Sequence, residues 1–84
     1  MASFRLDVRP TVRRLLRELP DIAAANRVSG AILALSQFPT PEGSVIVPGT
    51  SHLHLLKQSG YDVLYHIDAD RAVITIHSVR LFVP

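Results

Sequence analysis

The sequence predicts an α+β domain: a helical hairpin packed on a small, mainly antiparallel, twisted sheet, with elements in the order β-α-α-β-β-β. Three observations predict it. A short opening segment alternates apolar and polar residues. Two further segments carry apolar residues at helical spacing. The last third consists of runs of β formers separated by short turns. At 84 residues the whole chain, 1–84, reads as a single domain.

Phe4-Arg5-Leu6-Asp7-Val8-Arg9 has the period-two alternation of a half-buried strand. Pro10 ends it and suits the first turn of a helix, where its missing N–H costs nothing. Val12, Leu15, Leu16 and Leu19 then fall on one helical face, and Pro20 closes the helix. Asp21 is placed to cap a second helix, with Ile22, Val28, Ala31, Ile32 and Leu35 as its apolar stripe and Phe38-Pro39 as its stop. The very short turn between the helices makes them an antiparallel hairpin. Residues 39–50 form a Pro/Gly-punctuated loop in which Val45-Ile46-Val47 makes a brief extended contact.

Three strands follow: one around His52-Leu53-His54-Leu55, one over Tyr61–Ile67, and one over Ala72–Val79. Turns at Gln58-Ser59-Gly60 and Asp68–Arg71 make them an antiparallel meander. Centring the second turn on Ala69-Asp70 sets Asp62 opposite His77, Leu64 opposite Thr75, Tyr65 opposite Ile74 and Val63 opposite Ile76. A three-residue first turn adds Leu53 and Leu55 to the apolar face, with Tyr61 and Tyr65 as core residues. The other face then carries His52, His54, Asp62, His66 and His77. A one-residue change in the first hairpin moves His52 and His54 off it.

Composition narrows the function classes. The chain is 48% hydrophobic, a globular composition that argues against disorder. It contains no cysteine, so disulfides and thiolate metal sites are excluded. No apolar run has the length of a signal h-region or a transmembrane helix, so the expectation is a soluble cytoplasmic protein with no membrane association. Net charge is only +2, but Arg5, Arg9, Arg13, Arg14 and Arg17 concentrate in residues 1–20. Arg13 and Arg17 lie on the outer side of the first helix, where a solvated face with an Arg14/Glu18 pair and a contact with RNA or an acidic partner are both open readings. The spacing of His52 and His54 is weak evidence for a metal ligand pair, and no metal or other cofactor is expected.

The pieces in order resemble the RelE/ParE superfamily of type II toxin–antitoxin toxins. Phe4–Pro10 is similar to the family's first strand leading into its helix, and Leu15-Leu16-Arg17-Glu18-Leu19-Pro20 to its first helix with a closing L-x-x-L-P. Gly60–Asp68 is similar to its G-x-Y-R-V-x-Y-x-I-D signature, and Val73–Ile76 with Ser78-Val79-Arg80 to its last strand. The resemblance covers roughly residues 4–80. It implies a RelE-like toxin silenced by a cognate antitoxin protein. It implies either a ribosome-dependent mRNA endoribonuclease that inhibits translation, a ParE-like DNA gyrase inhibitor, or a catalytically degenerate relative that only binds an antitoxin.

Against the family pattern, Asp62 stands where an arginine is usual, and no tyrosine follows Arg80. For the nuclease reading, the expected catalytic residues are His54, His77, Asp62 and Arg80. Histidine exchanges protons near neutrality, Asp62 orients His77 and raises its pKa, and Arg80 meets phosphate charge. His52, His66, Lys57, Arg13 and Arg17 are the expected RNA-binding residues. A solvated sheet face that happens to carry polar side chains accounts for the same histidines without any activity.

Overall fold

The computed structural model describes residues 3–81; Met1, Ala2 and the tail Phe82–Pro84, where the sequence lacks the family's tyrosine, lie outside the described residues. The elements are β1 (Arg5–Val8), α1 (Pro10–Glu18), α2 (Ile22–Ala34), β2 (Ser44–Ile46), β3 (Leu53–Gln58), β4 (Tyr61–Asp68) and β5 (Val73–Leu81). They form one five-stranded sheet in the order β1-β5-β4-β3-β2, with β1 parallel to β5 and the other neighbours antiparallel. The extended contact expected inside the 39–50 loop is a true edge strand, β2.

Both helices lie on one face of this sheet. Pro10 opens α1, whose Val12 is buried while Leu15 and Leu16 pack against the core. The side chain of Asp21 accepts a hydrogen bond from the Ala24 N–H at 3.1 Å and so satisfies one of the free donors at the start of α2. Asp21→Ala is expected to cost about 1 kcal/mol in a urea denaturation experiment. The stripe that α2 buries is Ala24, Ala25, Val28 and Ile32, continued by Leu35. Ile22, expected in that stripe, is 74% exposed; the two alanines take the places that face the sheet. The core is completed by Leu56, Val63, Tyr65, Ile74, Ile76 and Val79. None of the described helices is long and apolar enough to cross a membrane.

The strand registers differ from those the sequence suggests, for three physical reasons. The first hairpin closes through Ser59 and Gly60 alone, pairing Gln58 with Tyr61, because Ser59 adopts φ 53° and Gly60 φ 82°, the two positive angles of a tight primed turn. That shift of one residue turns Leu53 and Leu55 away from the helices and brings His54 and Leu56 under them. The second hairpin spans Ala69 to Ala72, held by the Asp68 carboxylate accepting from the Arg71 N–H at 3.1 Å and by Ala72 at φ 54°. Finally, β5 carries a bulge. Tyr65 pairs with Ile76 but Leu64 pairs with Ser78, so His77 is the extra residue. Val63 therefore faces Val79, and Asp62 faces Arg80 rather than His77. Asn is preferred over Ser before Gly in such a turn, so Ser59→Asn is expected to raise stability by about 0.5 kcal/mol, read as a higher urea midpoint.

Candidate functional site

The helices cover one face of the sheet and leave the other open, and strand alternation decides what the open face shows. Three rows run across β3, β4 and β5: Lys57–Asp62–Arg80, then Leu55–Leu64–Ser78, then Leu53–His66–Thr75. On β1, Arg5 and Asp7 share this face, opposite in sense to the half-buried Leu6 and Val8.

His66 is the centre of a row of imidazoles. Its ring lies 5.8 Å from that of His52 and 6.3 Å from that of His77, edge-on in both cases. His77 follows the helix-facing Ile76 onto the open face, and the bulge leaves it unpaired just past the end of β1, where the Arg9 N–H meets the Ile76 carbonyl at 3.5 Å. Burial holds the His77 imidazole below its usual pKa, and the charges of Arg9 and His66 add to the effect. The expectation that Asp62 orients His77 and raises its pKa is therefore overturned: the bulge places Arg80 opposite Asp62, and the neighbours of His77 are cationic or neutral.

The fourth histidine is elsewhere. His54 faces the helices, is only 7% exposed, and stacks on Tyr65 with ring centres 5.4 Å apart. Burial lowers its pKa first, with smaller contributions from His52 and His66. The expectation of four histidines on one face thus gives way to three: the two-residue turn moves His54 away, while His52, expected to move with it, precedes β3 and keeps its ring 5.8 Å from that of His66.

Asp62 sits between Lys57 and Arg80 in register, in a depression of about 210 Å³ lined by Leu55, Leu64, Ser78 and Arg80 as well. Its Oδ1 is buried and takes no hydrogen bond from the described residues. Leu55 and Leu64 make the middle of the open face apolar, which is unusual for a sheet surface left in water.

Arg13 and Arg17 belong to the helical layer, not to the open face. Both are exposed, and the Arg13 Nε–H donates to the Val8 carbonyl at 3.3 Å. Arg13 also borders a groove between the helices with Leu16, Ser29, Ile32 and Leu33. The residue that sequence reasoning passed over is Arg9. It continues the Arg5/Asp7 alternation of β1, and that parity alone would have placed it on the histidine face. Among the described residues, no group of three or more His, Asp or Glu side chains is arranged to hold a metal ion.

No protein-family model and no curated protein matches this sequence. Solved structures do match in shape. A chain of the archaeal RelE–RelB complex from Pyrococcus horikoshii OT3 superimposes with a TM-score of 0.81 at 23% identity, over 94% of each chain. This chain has the RelE fold. The isolated E. coli RelE toxin matches it with a TM-score of 0.79 at 18% identity, over 98% of this chain and 87% of that one. A chain of the RelBE2 toxin–antitoxin complex of Mycobacterium tuberculosis matches with a TM-score of 0.68 at 21% identity, over 95% and 99%. The open face of this RelE-fold chain carries three imidazoles, Arg9 and Arg80 around an apolar centre.

Proposed function

We propose that this RelE-fold chain is the toxin of a toxin–antitoxin pair, that a protein antitoxin silences it, and that it cleaves mRNA on the ribosome in the cytoplasm. The observation that carries the reading is the RelE fold itself, matched over 94% of both chains. The open face supports the chemistry. Cleavage through the ribose 2′-hydroxyl needs one group to take the hydroxyl proton and another to protonate the departing 5′-oxygen. His66 and His77, with ring centres 6.3 Å apart, span about the width of one phosphodiester. Arg9 lies beside His77, and Arg80 is exposed on the same strand; both offer fixed positive charge to the anionic phosphorane. His52 and Lys57 are left with RNA positioning. His54 and Asp62 have a structural part: the first stacks under the helices, the second lies between two cations.

Inducible expression followed by 5′-end mapping of cellular RNA tests the reading. Growth arrest with transcripts cut inside codons is the expected result. Arrest with intact mRNA and inhibited DNA supercoiling would replace it with gyrase inhibition, and normal growth would leave antitoxin binding as the role of the fold.

A further inference from the structure

The histidine row has a second chemical use. A divalent ion held by two imidazole nitrogens at about 2.0–2.1 Å from each keeps the ring centres roughly 5–6 Å apart. His52 and His66 already stand at 5.8 Å, on neighbouring segments of the sheet joined by the Ile67 N–H donating to the His52 carbonyl at 3.0 Å. The row also offers a second gap, between His66 and His77 at 6.3 Å. Charge decides between the two. The His77 side faces the guanidinium of Arg9, which repels a cation. The His52 side opens on a depression of about 270 Å³ whose lining includes Asp68 and Asp70. Asp68 is occupied, accepting the Arg71 N–H at 3.1 Å and facing the Arg71 guanidinium at 3.8 Å, so it contributes to the field more than to coordination.

We propose that His52 and His66 form a chelating site for a borderline divalent transition ion such as Zn²⁺ or Ni²⁺, at the end of the sheet where Asp68 and Asp70 favour positive charge. The two imidazoles are the protein ligands, and water completes the coordination. The ion selected is one that accepts neutral imidazole, not a hard ion such as Mg²⁺, which needs oxygen ligands. A bound ion takes His66 out of RNA chemistry, so zinc inhibits cleavage. That consequence rests on the function proposed above; the binding itself does not.

Tag-free full-length protein is titrated with ZnCl₂ by calorimetry and with NiCl₂ in an NMR experiment that reads line broadening. One saturable equivalent is expected, with broadening centred on His52 and His66. His52→Ala and His66→Ala each weaken binding by about tenfold or more, while His77→Ala changes it less than about twofold. His52 is exposed, so His52→Ala keeps the fold, as an unchanged thermal melt would verify. Absence of saturable binding, or His77→Ala weakening it as much as His52→Ala does, overturns the site. Zinc binding at His52 and His66 by a chain that cuts no RNA supports the site and counts against the proposed function.

Discussion

His66→Ala and His77→Ala are each expected to lower the rate of mRNA cleavage by about 10²–10⁴-fold, the usual contribution of a positioned acid or base. The expectation follows from where β5 puts His77. Alternation from Ile76, which faces the helices, sets it on the open face, with its ring centre 6.3 Å from that of His66. The double variant is expected to lose little beyond either single one, because the two groups serve one proton-transfer sequence. His54→Gln is the control. Its imidazole is buried against Tyr65, so it should change stability while leaving the cleavage rate per folded molecule within about tenfold. Measuring single-turnover cleavage of a ribosome-bound message checks all four proteins. Equal rates in wild type, His66→Ala and His77→Ala would remove these two histidines from the chemistry and leave it to the cations of that face, Arg9 and Arg80 first among them.

The largest structural effect is expected at Tyr65. Its side chain has no exposed surface, packs among the core residues of β4 and β5, and stacks on His54. Its hydroxyl donates to the Pro39 carbonyl at 2.8 Å, which ties the loop after α2 to the centre of the sheet. Tyr65→Ala should cost about 3–5 kcal/mol, from lost burial and the cavity left behind. A domain of 84 residues has a total stability of roughly 4–13 kcal/mol, so this variant stands at or past its folding limit. Tyr65→Phe keeps the ring and removes only the hydrogen bond, but leaves the Pro39 carbonyl short of a donor; about 1–2 kcal/mol is expected. Urea denaturation of both variants separates the ring from the hydroxyl. A Tyr65→Phe loss as large as that of Tyr65→Ala would mean that the loop tether, not packing, dominates.

The two predictions differ in how visible their residues were beforehand. Tyr65 is legible in the sequence: it stands in a run of β formers at the parity of Val63, and both are fully buried in the structure. The same is true of Asp21, whose capping role follows from its position between Pro20 and an apolar-periodic segment. Local signals of this kind survive because a cap or an alternation involves only a few neighbouring residues. Arg80 is different. His77 falls on the face of His66 by alternation, but Arg80 comes to lie opposite Asp62 only through a bulge in β5, and neither Ile76 nor Ser78 carries a mark of one. His54 depends on the length of the first turn. Gly60 announced a turn there, but whether Gln58 belonged to it turned on Ser59 accepting a positive φ, which a serine rarely does. One residue of difference reversed the faces of Leu53, His54, Leu55 and Leu56 together.

By itself, then, the sequence determined the element order, the helical hairpin and its cap, the three-strand meander and most of the core, because each is written in short-range periodicity and turn chemistry. Only the tertiary structure decided that β1 lies parallel against β5, that β2 closes the far edge, and which histidines meet. Those outcomes depend on register and on one bulge, which are set by how whole strands fit against two helices. Side-chain identity along a strand fixes which residues can share a face; the pairing of strands fixes which of them touch.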